Sequence, residues 1–321
     1  MLKIKTLVFS TMFMFGGIHS VSAHSVSWAK IKASYYLKKK DCQRARFELD
    51  SVKFQKYDAK YISLYAKTHL CDVGLESLSL ELIDSYVLLN SLAALPTSNE
   101  TIADSRVYQN IDMAIKLLIG FDGNTAPSTL SRLEKFGIKN GNKLSLQALK
   151  LLFAQYGKFL ALYGNADSLG TQGNGTQTNS CLFSYTTSDA VEWIHSFNTG
   201  SCLTATGSEG SPYLSRPISK RDVKRRLCQG IIYYNNILDI LNNLKLPSGI
   251  EWSEIKNILP VMSSLMSMAE LAETGVFNDG NAYGINAITT LRSVTGQSQC
   301  EAIHIERIEK WYAILIETIF M

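Results

Sequence analysis

The chain has 321 residues, of which 46% are hydrophobic and 19% are charged, so it can bury a large core in one or two domains. Its 32 Lys and Arg and 28 Asp and Glu give a net charge of +4. This near balance excludes a global nucleic-acid-binding signature, and we expect no nucleic-acid partner.

Residues 1–23 have the pattern of an export signal. Lys3 and Lys5 precede the apolar stretch LVFSTMFMFGG, and Val21 and Ala23 occupy the small-residue positions before a cleavage site. The apolar stretch is about half as long as the roughly 20 residues of a membrane-spanning helix, which favours removal over anchoring. We therefore expect a mature chain that begins at His24 and has no transmembrane segment, in the periplasm or secreted.

Residues 24–164 are predicted to form an amino-terminal layer of helices. The segments CQRARFELDSV, DAKYISLYAKTHLC and ADSRVYQNIDMAIKLLIGF combine helical spacing with turn residues at their ends. LESLSLELIDSYVLLNSLAAL, between Leu75 and Leu95, is apolar over more than half of its circumference, which predicts a central, covered helix. A further helix is predicted by apolar residues at steps of three and four: Leu149, Phe153, Tyr156, Leu160 and Tyr163.

Residues 165–218 form a predicted insert that is rich in loops. The stretch GNADSLGTQGNGTQTNS contains mainly Gly, Asn, Ser and Thr, and cannot bury enough apolar surface to order itself. We interpret this segment as a surface insertion in one continuous fold from 24 to 321.

Residues 219–321 are predicted to form a carboxy-terminal helical layer. Another helix is expected over 252–273, kinked or split by Pro260. Two apolar stripes have helical spacing: Val223, Leu227, Tyr234, Ile237, Leu241 and Leu244, then Ile305, Ile308, Tyr312, Leu315 and Ile319. No convincing period-two strand is present, so the predicted class is all-α, with antiparallel helix pairs packed in layers as repeats or a bundle.

Six cysteines follow the predicted signal, an even number that indicates disulfides in an exported chain, although six cysteines permit 15 pairings. Cys42 opens one predicted helix and Cys71 closes the next, so antiparallel neighbours would bring these two together. Cys181 and Cys202 could close the base of the insert. Cys228 and Cys300 are then left, and each begins a predicted helix, so a bridge between them requires two parallel helices.

A Glu stands three residues before a His twice, at Glu192 with His195 and at Glu301 with His304. Such pairs share a helix face and, with further glutamates, hold two metal ions in four-helix bundles. Yet Ser298 three residues before Glu301 is the pattern of a capping box, in which the Glu accepts from backbone donors. We therefore interpret both glutamates as helix caps and predict no metal, cofactor or catalytic residue.

The densest charge feature is KRDVKRRLC, at the start of a predicted helix. Cations there oppose the positive end of the helix dipole, so local stability does not explain them. They are either a contact for an acidic partner, an anionic ligand or a lipid surface, or a solvated face with neighbouring acids. The candidate contact residues are Lys220, Arg221, Lys224, Arg225 and Arg226.

The stretch from Ala33 to Gly74, ASYYLKKKDCQRARFELDSVKFQKYDAKYISLYAKTHLCDVG, resembles the alternating helix pairs of tetratricopeptide-type repeats. Its Tyr-rich first helix and the RAR of its second match a loose repeat half, but no second copy follows at a 34-residue period. The chain is thereby similar to exported helical-repeat proteins such as the T-components associated with TRAP transporters, and equally to uncharacterised exported bacterial helical proteins. The resemblance implies a binding scaffold and transfers no specific residue.

These observations predict a non-enzymatic binding or scaffold protein of the bacterial envelope that presents a helical groove to a protein partner. The alternative is a small-ligand or solute-binding component associated with a transporter. A carboxylate-bridged di-metal oxidase ranks third.

Overall fold

The computed structural model describes residues 25–75, 106–163, 220–245 and 291–312. These ranges contain eight helices and no β-strand, which confirms the all-α prediction. The helices are α1 (Val26–Lys38), α2 (Cys42–Asp50), α3 (Ala59–Cys71), α4 (Arg106–Ile119), α5 (Thr129–Tyr163), α6 (Lys220–Asn243), α7 (Gln297–Glu301) and α8 (Ile305–Trp311).

Several predicted features lie outside the described residues: the export signal, nearly all of the central helix after Leu75, the insert with Cys181 and Cys202, the pair Glu192 and His195, and the helix over 252–273. Within the described ranges, no helix combines the length and the apolar composition that crossing a lipid bilayer requires.

The ends of the first helices follow from their local sequence. The side chains of Ser25, Asp41 and Asp58 each accept a hydrogen bond, of 3.0 to 3.2 Å, from the backbone N–H three residues later. This satisfies donors that the first helical turn leaves unpaired. Helix α4 ends at Ile119, and the φ of 75° at the following Gly120 lets the chain turn out of the helix at little cost.

Consecutive helices pack against each other along the chain. Helices α1, α2 and α3 are in mutual contact, α3 packs on α4, α4 on α5 and α5 on α6. Helix α6 also contacts α7 and α8. Its buried Asn235 donates to the backbone carbonyls of Leu291 and Val294, at 2.6 and 2.7 Å, which ties α6 to the segment before α7.

Helix α5 is interrupted at Gly137, where φ is 75° and ψ is 157°. Glycine adopts this left-handed backbone more easily than other residues. Four residues later, the backbone of Gly141 lies so close to Leu133 that an added Cβ would stand 2.8 Å from the Leu133 Cα. The two parts of α5 therefore pack closely around the break.

The main core is formed by α3 to α8, and a smaller cluster around Ala33, Leu49 and Tyr61 joins α1, α2 and α3. The predicted stripes supply much of the main core, because these stripe residues are buried: Leu149, Leu227, Tyr234, Ile237, Leu241, Ile308 and Tyr312. Transfer of such side chains from water contributes about 1.5 to 3 kcal/mol each.

Two disulfides connect helices. Cys42 is bonded to Cys71, with their Cα atoms 5.5 Å apart, which confirms the predicted bridge and places the start of α2 beside the end of α3. Cys228 is bonded to Cys300, with Cα atoms 5.6 Å apart. Neither cysteine begins its helix as predicted, because α6 starts at Lys220 and α7 starts at Gln297.

Candidate functional site

The five predicted contact residues lie in the first two turns of α6. Positions 221, 224 and 225 are three and four residues apart, a spacing that places them on one side of the helix. Arg225 is exposed and Lys224 is half-buried. The side chains of Lys220 and Arg221 are not among those described. We call residues 220–226 the basic turn.

The backbone of the basic turn is held in place from two sides. Cys228, directly after it, is bonded to Cys300 of α7. The hydroxyl of Tyr312 donates to the carbonyl oxygen of Leu227 at 2.5 Å, and the amide of Gln297 donates to the carbonyl oxygen of Arg225 at 2.9 Å. The cations therefore stand on a helix start that is anchored to α7 and to the residue after α8.

One turn after the basic turn, Gly230 allows α6 to lie very close to neighbouring residues. Gly230 lies against the ring of Phe159 and the hydroxyl of Tyr312, and an added Cβ would overlap both. Phe159 and Tyr312 are fully buried, so neither can move into solvent. Only glycine allows α6 to lie this close to its neighbours.

The basic turn itself contains few acidic residues. Asp222 is the single acid among residues 220–226. Glu301 stands nearby on α7, where its carboxylate accepts from the Gln297 amide at 2.8 Å. Cations at a helix start cost about 0.3 to 1 kcal/mol each when exposed, so their concentration here opposes local stability.

The small net charge of the chain conceals an uneven distribution. The described ranges contain 28 of the 32 Lys and Arg but only 13 of the 28 Asp and Glu. Residues 25–75 alone carry 11 basic and five acidic side chains, whereas 76–105 carry five acids and no Lys or Arg. The described helices therefore carry a large positive net charge, which the small net charge of the whole chain does not reveal.

The far end of α6 is joined to α5 by a partly buried ion pair that the sequence did not suggest. Asp239 accepts from the backbone N–H and the hydroxyl of Thr129, at 2.8 and 2.7 Å. Arg132, only 1% exposed, lies 3.6 Å from the same carboxylate. Burial lowers the pKa of Arg132 to about 10, while Asp239 acts in the opposite direction. This pair positions α6 rather than binding a partner.

An aromatic cluster lies between α5, α6 and α8. Tyr234 lies 6.3 Å from Tyr156 and 5.3 Å from Trp311, measured between ring centroids. The Tyr156 hydroxyl and the Trp311 indole nitrogen are both buried and have no hydrogen-bond partner. Burial raises the pKa of Tyr156 well above its usual value, so the hydroxyl remains a donor. Both donors therefore lack the partner that buried polar groups normally have.

A second polar group in the core is linked by internal hydrogen bonds, although the side-chain oxygen of Gln155 is buried without a partner. The hydroxyls of Tyr108 and Tyr233 are 3.0 Å apart, and Tyr233 donates to Asp112 at 3.1 Å. The Gln155 amide donates to the Tyr108 carbonyl oxygen at 3.1 Å. This group links α4, α5 and α6, so its first role is to align these helices.

His69 packs inside the α3–α4 contact. Its Nδ1 is 3.1 Å from the Asn110 side-chain oxygen, and its ring stacks edge-on with Tyr65 at 5.7 Å. Burial, reinforced by Arg46, lowers its pKa below the usual 6.5. His69, two residues before Cys71, therefore serves the packing at the end of α3.

The expected helix around Glu301 and His304 is absent. Glu301 is the last residue of α7, and His304 precedes α8 as its N-cap, so the two do not share a helix face. The predicted capping box of Ser298 and Glu301 was wrong. Gln299 instead accepts from the backbone N–H of Gly296 at 3.2 Å, because α7 begins one residue earlier than Ser298. Within the described ranges, no three His, Cys, Asp or Glu side chains form a metal-binding group.

Comparison with known proteins does not place the chain in a family. No protein-family model, no curated protein and no solved structure matches it significantly.

Proposed function

We propose that this protein is a non-enzymatic binding or scaffold protein of the bacterial envelope that presents a surface between its helices to an acidic protein partner. The observation that carries this proposal is the anchored basic turn of α6. It concentrates cations where they oppose helix stability, on a backbone held by the Cys228–Cys300 bond.

Anchoring matters for binding because it lowers the entropy lost on association. A preorganised surface loses less side-chain and backbone freedom when a partner docks. Clustered charge also accelerates encounter with an oppositely charged partner, so the basic turn would act mainly on the association rate. Exposed Arg225 is the residue best placed to contact the partner first.

The proposed compartment is an oxidising one. Structural disulfides persist in the periplasm and outside the cell but are rare in reducing cytosol. The two bonds, Cys42–Cys71 and Cys228–Cys300, support export of the chain, together with the signal pattern of residues 1–23.

The proposal is tested by charge reversal. We expect Lys224→Glu with Arg225→Glu to weaken capture of a defined partner from envelope extract by tenfold or more, and to remove its salt dependence. The matched control is Lys139→Glu with Lys143→Glu, which reverses two exposed cations of α5. Equal loss of capture in both variants would show that only the overall charge matters. That result would contradict a specific role of the basic turn in binding.

A second candidate function is binding of a small ligand, which the aromatic cluster favours. The unused donors of Tyr156 and Trp311 both lie beside Tyr234, where a carbonyl or carboxylate oxygen could accept from them. Native mass spectrometry of gently purified protein would show a retained mass if this is correct. Tyr156→Phe would lower its occupancy, whereas an unchanged occupancy would locate the ligand elsewhere.

A further inference from the structure

Helix α1 carries its large apolar side chains on the outside. Its core-facing positions include Ala29 and Ala33, which are fully buried. Trp28, Ile31 and Tyr35 are 50%, 55% and 51% exposed. A helix that only covers a core shows the opposite pattern, with large apolar residues inside and polar residues outside.

The three exposed residues form one line along the helix. Steps of three and four residues return to the same face, so Trp28, Ile31 and Tyr35 make a stripe two turns long. We call these three residues the α1 stripe. Lys39 lies beside it, with its ammonium nitrogen 4.7 Å from the centroid of the Tyr35 ring.

The α1 stripe lies in strongly basic surroundings. Lys38, Lys39 and Lys40 are exposed and follow one another at the end of α1. Lys32 lies over the Trp28 ring at 5.7 Å, although its charge is paired with Glu48. Lysines at a helix carboxyl end complement the helix dipole, but that effect does not account for exposed Trp and Ile on the same face.

We propose that the α1 stripe docks on a membrane surface that contains anionic phospholipids. Trp and Tyr favour the level of the lipid headgroups, where their rings are apolar and their polar atoms stay hydrated. Ile31 would enter the acyl boundary between them. The lysines at the end of α1 would then reach the anionic headgroups, with their aliphatic stems lying along the surface.

The residue types favour a lipid surface over a protein partner. The centre of a protein–protein interface is depleted of Lys, whereas all the cations of residues 26–40, which include the α1 stripe, are lysines. Association with a second copy through the same face would bring two basic segments together, each with 11 basic and five acidic residues over 25–75.

Sedimentation with lipid vesicles tests the proposal. The full chain is mixed with vesicles of phosphatidylcholine alone, or with phosphatidylcholine and phosphatidylglycerol. We expect retention by the anionic vesicles that decreases as salt rises. The variant Trp28→Ser, Ile31→Ser and Tyr35→Ser should lower the partition coefficient by about tenfold or more. Lys38→Gln with Lys39→Gln should lower it by about fivefold for each lysine.

The control substitutes other exposed apolar residues, Leu130→Ser with Ile138→Ser on α5. It should bind vesicles like the unaltered chain, and the circular dichroism and melting temperature of all variants should match. Equal retention by both vesicle types, or unchanged retention of the stripe variant, would overturn the proposal. A stripe variant that changes only the oligomeric state would instead identify a contact between copies. Because the basic turn is not altered, its partner capture is measured independently of these results.

Discussion

Substitution of Gly230 tests the packing that anchors the basic turn. In an exposed helix, Gly→Ala stabilises by about 1 kcal/mol, because alanine restricts the unfolded chain and favours the helix. At Gly230 the added Cβ overlaps the hydroxyl of Tyr312 and the ring of Phe159, both fully buried. Overpacking of this kind costs about 1 to 3 kcal/mol.

The same substitution threatens a hydrogen bond. The Tyr312 hydroxyl donates to the Leu227 carbonyl oxygen at 2.5 Å, and its displacement would cost about 1 kcal/mol. The two penalties exceed the gain in helix propensity, so we expect Gly230→Ala to lower the free energy of unfolding by roughly 1 to 3 kcal/mol. Urea denaturation followed by far-ultraviolet circular dichroism measures this change.

A double-mutant cycle isolates the cause. Tyr312→Phe removes the hydroxyl that lies closest to the added Cβ, so Gly230→Ala should cost less in that background than in the unaltered chain. A Gly230→Ala protein that is as stable as the unaltered chain would refute the packing argument. Equal costs in both backgrounds would show that the hydroxyl is not the obstacle.

Three further perturbations follow from the described contacts. Cys42→Ser with Cys71→Ser opens a loop of 29 residues and should lower stability by about 3 to 4 kcal/mol in the chain-entropy model, while reductant should affect only the bonded form. Asp239→Ala leaves the buried Arg132 without its counter-ion and should cost roughly 3 kcal/mol, whereas a loss below 1 kcal/mol would mean that water replaces the carboxylate. Burial lowers the pKa of His69 below 6.5, so this histidine binds a proton at a higher pH in the unfolded chain than in the folded one. Its contribution to the free energy of unfolding is complete above pH 6.5 and is lost as the pH falls through the lowered pKa. A pH series of melting temperatures should therefore flatten on the acid side in His69→Gln, and an unchanged slope would argue against this histidine.

The helices could be predicted from the sequence because capping and apolar periodicity act within a few residues. Asp58 before the apolar periodicity of α3 predicted a start, and the structure shows its carboxylate accepting from the backbone three residues later. The stripe with Leu227 and Ile237 predicted a buried face of α6. Cys42 and Cys71 could be paired because both lie at the ends of neighbouring helices.

Short segments at helix boundaries were harder to read. Ser298 and Glu301 have the spacing of a capping box, yet Gln299 performs that role, one residue after Ser298. Spacing alone does not show where the first helical residue lies, because several polar residues in SQCE can serve the same backbone donors.

Some features depend on residues that are distant in the sequence. Asp239 and Arg132 meet only because α5 and α6 pack together, and no local spacing in the sequence predicts the pair. Helix α1 shows the same limit: its periodicity does not indicate that Ala29 faces the core while Trp28 stays exposed. The sequence by itself determined the helical class and one disulfide, since spacing and capping act within a few residues. Which face of each helix is covered, and which charges are brought together, was decided only by the tertiary structure, because burial is set by neighbours from elsewhere in the chain.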